Sequence, residues 1–325
     1  MNFNIMKKAW LAFSLVFFIA CSTPSEKGKT VIPVVGFLDA FQDETIDQAR
    51  QGFFAALDKN GFSEDSGTLR IIYRNAQGDI PTLTQSADYL ISQKVNLIAA
   101  NATLATITAA QKTKDIPVCM MVAPTPQMAG LTDSSGNPPK NLFGIFETLA
   151  YIDTSVALIK QVLPDAKIIG TVFNQAEPQS QAALQEITSQ CKLLGFTLVA
   201  LPVNNSSETQ LVVSSLLSKN IDVFFAMPDN TIFASFETIA KSCNDKNIPI
   251  FTSEAGLVKR GAVAAYGADI YQWGYQAGEQ AAQFLNQGNL DGLHPELLKV
   301  RKRIYNTAMA RQFNITFNSP FEPLQ

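Results

Sequence analysis

The feature that most constrains this chain is an alternation of short β-rich runs with amphipathic helical stretches, carried through once and then begun again. Val34–Leu38, Arg70–Arg74, Asn96–Ala100 and Pro117–Val122 read as strands. Between them, Thr45–Lys59 puts Ile46, Ala49, Phe53, Ala56 and Leu57 on one helical face, with Gly61 placed to end the helix. Asp79–Gln93 opens on a capping aspartate with Pro81 in the first turn, and Thr103–Thr113 is a third helix. The strands are almost continuously apolar, as strands covered on both faces must be. Such an alternation builds right-handed βαβ units on a parallel sheet.

The pattern then restarts. Lys167–Phe173, Thr197–Val203, Asp222–Ala226 and Pro249–Thr252 read as strands, with helices over Pro178–Leu194, Ser207–Lys219 and Thr231–Asn244. The halves agree in detail. Val35-Gly36-Phe37 matches Ile169-Gly170-Thr171, Gly61-Phe62 matches Gly195-Phe196 at the same separation, and Ile116-Pro117-Val118 matches Ile248-Pro249-Ile250. The expectation is an α/β protein of two similar doubly wound, parallel-sheet lobes. A chain of 325 residues with 46% hydrophobic residues has the material for two cores. A final strand Ala262–Tyr266, a helix Tyr271–Asn286 and a last strand Lys299–Tyr305 complete the reading.

The N-terminus suggests export. Lys7 and Lys8 precede an apolar run, Ala9–Ala20, that is too short to span a bilayer, and a small residue stands before Cys21. Residues 1–21 read as a secretory signal ending at an anchor cysteine, and 22–30 as a polar tether. An ordinary signal peptide with a coincidental cysteine is the plainer alternative. Three further cysteines, Cys119, Cys191 and Cys243, lack metal-site or CxxC spacing and read as buried thiols, with a Cys191–Cys243 bridge left open. The formal net charge of −3 leaves no basic footprint for nucleic acid.

In open α/β sheets a ligand sits beyond the carboxyl ends of the strands. Two facing lobes therefore make a cleft lined by strand-to-helix turns. On the first lobe this selects Asp39, Ala40, Phe41 and Gln42, the turn 75–78, Asn101, Thr103 and Leu104, and Ala123. On the second it selects the turn 174–180, with Asn174, Glu177, Gln179 and Ser180, then Pro228, Asp229 and Asn230, then Ser253 and Glu254. Thr103 and Ser180, at helix starts, suit a ligand carboxylate. Asp229 and Glu254 suit an ammonium group. Together they fit an α-amino acid, with Phe41, Phe146 and Tyr271 as flat walls. Each has a simpler reading: Asp229, Thr103 and Ser180 as helix caps, Phe146 and Tyr271 as packing residues, Glu177 as a solvent-facing first-turn residue, Gly274 and Gly278 as allowing close helix contact.

Several of these segments resemble one family. They are Asn75-Ala76-Gln77-Gly78-Asp79, Ala102-Thr103-Leu104-Ala105 and Ile116-Pro117-Val118. In the second half, Leu163–Gly170 leads into Phe173-Asn174-Gln175-Ala176-Glu177-Pro178-Gln179-Ser180, then Pro228-Asp229-Asn230, Gly261-Ala262-Val263-Ala264 and Tyr305-Asn306. In this order they resemble the ABC-transporter substrate-binding lipoproteins that include tryptophan and tyrosine binders. The resemblance implies a class I periplasmic binding fold, with a three-segment hinge between lobe one (31–145 and 267–288) and lobe two (146–266 and 289–325). In that layout the strand after Gly261 crosses back to the first lobe and the last strand returns to the second. It also implies diacylation of Cys21, a monomer on the outer face of a membrane or in the periplasm, and delivery of a small molecule to ABC permease subunits. Three departures lie near the expected cleft. Asp39-Ala40-Phe41-Gln42 lacks the family's His-Pro flavour, Cys119-Met120-Met121 is unusual, and Glu254 stands where Asp is common.

Little points to catalysis. The single histidine, His294, sits in a Gly/Pro-bounded loop without a motif. There is no GxSxG elbow, HExxH pair or dinucleotide fingerprint. No cofactor or metal is expected. Two alternatives stay open: a sensor lipoprotein docking on a membrane receptor, and a hydrolase using Asp229 and Glu254 as an acid–base pair.

Overall fold

The computed structural model describes residues 32–318 and 320–324, so Cys21 and the tether lie outside the described residues. The first half runs β1 (Val34–Asp39), α1 (Glu44–Lys59), β2 (Arg70–Asn75), α2 (Ile80–Ser92), β3 (Leu97–Asn101), α3 (Thr103–Lys112), β4 (Val118–Pro124) and β5 (Leu142–Glu147). The second half opens with α4 (Tyr151–Val162), then β6 (Ile168–Asn174), α5 (Pro178–Leu194), β7 (Thr197–Val203), α6 (Thr209–Leu217), β8 (Val223–Ala226), α7 (Asn230–Ala234), α8 (Phe236–Asp245), β9 (Ile250–Glu254) and α9 (Ala255–Lys259). The chain ends with β10 (Ala264–Ala268), α10 (Ile270–Gln287), β11 (Pro295–Leu297), β12 (Arg301–Asn306), α11 (Thr307–Gln312) and β13 (Glu322–Leu324).

Two sheets result, ordered β11-β5-β4-β3-β1-β2 and β13-β12-β10-β9-β8-β6-β7. All neighbours are parallel except β10 and β12. Both sheets place their first strand inside the sheet and turn back across it, so each has a switch point where the turns after neighbouring strands diverge. This is the doubly wound architecture that the restarted alternation predicts.

Three segments pass between the sheets: from Glu147 to Tyr151, from Ala268 to Ile270 and from Leu297 to Arg301. Two expectations change here. The strand after Gly261 does not cross. β10 stays in the second sheet between β9 and β12, and the crossing elements are α10 and the short β11. Residues 295–297, expected in the second lobe, run beside β5 in the first sheet, and β5 itself extends past residue 145 to Glu147. The sequence reading passed over β5 and α4 altogether. β5 carries Gly144 at φ +111, where a side chain would strike the backbone of Met120, so its apolar run is broken by the residue that lets it lie close to β4. The helix expected over 231–244 is two helices that meet at Ser235.

Local signals placed the other elements. Asp79 caps α2 through the Thr82 amide (2.8 Å), with Pro81 in its first turn. Gly195 ends α5 at φ +76, a left-handed conformation that glycine adopts without penalty. Cys119, Cys191 and Cys243 are all buried free thiols, and burial pushes each thiol pKa up, which keeps them unreactive. No helix among the described residues is long and apolar enough to cross a membrane.

Helix α10 is bound to the first lobe by unusually close packing on α1. A Cβ on Gly274 would overlap the carbonyl of Ala49, one on Gly52 the carbonyl of Tyr271, and one on Gly278 the carbonyl of Phe53. The helix backbones touch, and the Cys119 thiol reaches the Ala277 carbonyl from β4 (3.4 Å). Gly274→Ala is therefore expected to force the two helices apart and lower stability by about 1–3 kcal/mol, as overpacking does. Urea denaturation of the variant beside the wild type measures this.

Candidate ligand-binding cleft

The strand-to-helix turns of the two lobes face each other across a cleft of about 610 Å³. The first lobe contributes Phe41, Gln42, Gln77, Gly78, Ile80 and Leu104. The second contributes Asn174, Ala176 and Glu177, the turn Asn204-Asn205-Ser206, and Asn230, Thr231 and Ala234.

On the first lobe the Asn75–Asp79 motif is a device for seating Phe41. Asn75 accepts the Gln77 amide (2.8 Å) and donates to the Phe41 carbonyl (3.1 Å). The Gly78 amide then bonds the Ala40 carbonyl (2.8 Å). Gly78 has φ +83, and the Phe41 ring lies against the space where a side chain would stand. Leu104 belongs to the first turn of α3, whose cap residue Ala102 has φ 76 and ψ 162 and makes no side-chain cap bond. That backbone is strained for a residue with a Cβ, and the first amides of α3 are left without a side-chain acceptor.

On the second lobe the site is a buried network of amides and carboxylates. Asp229 is fully buried and both its oxygens are engaged. One oxygen caps α7 through the Ile232 amide (3.0 Å), and the other accepts the Asn174 amide (2.7 Å) and the Ser180 hydroxyl (2.5 Å). The Asn174 side chain donates to Thr231 (2.9 Å). Glu177 is only 2% exposed yet lines the cleft, so it is not the solvent-facing residue that its first-turn position suggests. It accepts from the side chain of Gln179 and from Asn230, through both the amide (3.3 Å) and the side chain (2.8 Å). Of the described residues lining the cleft, Glu177 alone has an ionisable side chain. Burial, and then the charge of Asp229, push its pKa up from 4.5 to about 8 against the bonds from Asn230 and Gln179.

Nine of the expected residues therefore reach the cleft surface: Phe41, Gln42, Gln77, Gly78, Leu104, Asn174, Ala176, Glu177 and Asn230. The others stand behind it. Asp39 is buried, accepts from the Asn101 side chain (2.7 Å) and is pushed by burial to about 6. Asn101 also reaches the Ile46 carbonyl (3.3 Å), which ties β3 to α1. Ala40, Thr103 and Ala123 are buried in the first lobe, and Gln179 and Ser180 serve Glu177 and Asp229. Glu254 belongs to the hinge. It accepts from Tyr151 (2.8 Å) and Ser253 (3.2 Å), close to the pair of buried Glu147 with partly exposed Arg301 (2.8 Å), and burial pushes it to about 7. Asp229 and Glu254 thus do not face a substrate as an acid–base pair. Phe146 and Tyr271 are packing residues outside the cleft lining.

The residues missed are Ile80, the Asn204–Ser206 turn, Thr231 and Ala234. The turn was legible, because it follows strand Thr197–Val203 as the same topological rule requires. Ile80, Thr231 and Ala234 reach the cleft through the orientation of their helices, which the pattern does not specify.

Residues 34–321 match the family described as ABC transporter substrate binding protein. This chain belongs to that family. Among curated relatives it is 35% identical over 263 residues to a tyrosine-binding protein of Clostridioides difficile (strain R20291), covering 81% of this chain and 74% of the relative. Two solved structures are similar over almost the whole described chain. A conserved domain protein from Vibrio cholerae matches with a TM-score of 0.82 at 26% identity, covering 89% of this chain and 96% of that one. The ligand-free, open structure of a substrate-binding protein with adhesive properties from Clostridium difficile matches with a TM-score of 0.67 at 29% identity, covering 90% and 99%. The family binds solutes and is not an enzyme family, in keeping with a cleft whose carboxylates are held as caps, hinge ties or a single buried acceptor.

Two outcomes follow from this site. Asp229→Ala would orphan the Ile232 amide and leave the Asn174 amide and the Ser180 hydroxyl without their buried carboxylate acceptor. It is expected to lower stability by about 2–4 kcal/mol in a urea titration. Glu177 keeps its proton in the folded chain from the unfolded value near 4.5 up to about 8, a window in which the unfolded chain has lost it. Folding therefore weakens as pH rises through that window. The melting temperature of the free protein should fall from pH 5 to pH 8. Glu177→Gln should flatten part of the slope, with Asp39 and Glu254 supplying the remainder.

Proposed function

We propose that this chain is the extracytoplasmic solute-binding lipoprotein of an ABC importer, anchored through Cys21, and that its two lobes close over an α-amino acid, an aromatic one by preference. The observation that carries the ligand class is Glu177. A buried carboxyl group in a cleft lining without Lys, Arg or His gives up its proton when a cation from the ligand faces it, and an ammonium group supplies both that charge and the donors. The uncapped start of α3 on the facing lobe offers amides suited to the ligand carboxylate. Phe41, Ile80 and Leu104 give an apolar surface for a flat side chain, while the asparagines and glutamines of the rim can bond a ring hydroxyl. The name of the tyrosine-binding relative supports the same class.

By sequence Asp229 and Glu254 suit the ammonium, and the geometry favours Glu177 in their place. Closure is supported by the lower TM-score against the open, ligand-free relative despite its higher identity. Capture by two lobes on a three-segment hinge is a common way to bury a small ligand completely.

A thermal-shift panel on the mature body tests the ligand class. A ligand at a hundred times its Kd stabilises by about 2.7 kcal/mol, a rise of roughly 5 °C for a chain of this size. L-Tyrosine, L-tryptophan or L-phenylalanine should give that rise, and N-acetyl-L-tyrosine, which lacks the ammonium, should not. Glu177→Gln should weaken the best ligand about tenfold or more. A rise with sugars or nucleosides and none with any amino acid would sink the ammonium reading.

A further inference from the structure

Behind the cleft, away from the hinge pair Glu147–Arg301, Arg260 also joins the two lobes. Arg260 follows α9, and its side chain is 8% exposed. On its own lobe it is held firmly. Nε and one terminal nitrogen form a fork on Glu237 (2.8 and 2.9 Å), and that terminal nitrogen also donates to the Phe233 carbonyl (2.7 Å). The other terminal nitrogen crosses to the first lobe, where it donates to Asp43 Oδ2 (2.8 Å) and to the Thr45 hydroxyl (2.8 Å). The Asp43 side chain is 2% exposed, so this bond is desolvated, whereas Glu237 is 69% exposed and screened.

The placement matters more than the bond. Asp43 directly follows Phe41 and Gln42, which line the cleft, and its Oδ1 caps α1 through the Thr45 and Ile46 amides (2.8 and 3.1 Å). Phe233 is on α7, whose first residue Asn230 holds Glu177. The arginine thus clamps together the elements that present the two cleft walls. Beside it Gly256 lies against Thr45, where a side chain would collide.

We propose that Arg260 is a positioning residue for ligand capture, a latch that reaches from the second lobe to Asp43 and Thr45 of the first and holds the cleft closed without touching the ligand. This rests on the reading that the lobes close over a solute. When the lobes part, Asp43 and the crossing nitrogen return to water. Much of the Coulomb attraction is then offset by recovered hydration, so the latch shifts the equilibrium moderately. Its effect falls mainly on escape of the ligand, because opening must break the latch, whereas entry uses the fraction of free protein that is already open.

The test uses the protein labelled with spin probes at Gln85→Cys on α2 and Ser215→Cys on α6, both exposed positions on opposite lobes. Distances between the probes are measured with and without L-tyrosine, and L-tyrosine dissociation is followed by stopped flow. Asp43→Asn is the main variant, since it keeps an oxygen for the α1 cap but removes the charge and turns an amide toward Arg260. Arg260→Lys keeps the charge and loses the fork, and Glu237→Gln is the control within one lobe. Asp43→Asn and Arg260→Lys should lengthen the probe distance in the free protein. They should also speed dissociation about tenfold, while association is unchanged or faster. Glu237→Gln should leave the distance unchanged. Wild-type distances in folded Asp43→Asn protein would overturn the latch, whatever the ligand does. Longer distances in Asp43→Asn, with no L-tyrosine binding to the wild type, would support the latch and reject the amino-acid reading alone.

Discussion

Contact between two helix backbones, α1 and α10, holds the first lobe together across a break in the chain. After β10 the polypeptide leaves the second sheet, and α10 must hold its place on the first lobe for the return through β11 and β12 to be possible. Gly52, Gly274 and Gly278 allow this by removing side chains where the backbones meet. Trp273 adds a bond from its ring nitrogen to the Ile145 carbonyl (2.8 Å), and Gln280 accepts the Gly144 amide (2.9 Å), so α10 is tied to β5 as well. The start of α1 is thereby fixed, and with it the Phe41 loop on one wall of the cleft. Loosening that packing would be felt at the site although no residue of α10 lines it.

The buried carboxylates divide the remaining work. Asp229 spends its charge on three donors and organises the second-lobe wall. Glu147 pairs with Arg301 between the first and third crossing segments, with Tyr151 and Glu254 beside it. Asp43 caps a helix and meets Arg260. Glu177 differs from these in lining the cleft, where its donors are neutral amides and no cation faces it among the described residues. Burying acids without such compensation is costly; Asp39, Glu254 and Glu177 all carry that cost in raised pKa values, and Glu177 carries it where a ligand can reach. Its neighbours Asn174 and Asn230 are there because amides can donate to a carboxylate without neutralising it.

The alternation of strands and helices, the repeat between the halves and the turns beyond the strand ends were legible because they depend on local periodicity and on a topological rule. Phe41, Gln42, Leu104, Asn174, Glu177 and Asn230 were found in this way. The roles were harder to read. Asp229 and Glu254 carry the right charge at the right turns. Whether a carboxylate faces the cleft or is consumed by neighbours depends on partners 49 to 103 residues away, such as Ser180 for Asp229 and Tyr151 for Glu254.

By itself, the sequence determined that this chain forms two parallel α/β lobes with their turns turned toward a common cleft, since side-chain periodicity and glycine, proline and aspartate punctuation act over a few residues. Only the tertiary structure decided which segment crosses the hinge, that Glu177 is buried, and that Arg260 meets Asp43. Those outcomes depend on desolvation and on hydrogen bonds between residues far apart in the chain, up to 217 positions for Arg260 and Asp43, and no local pattern records them.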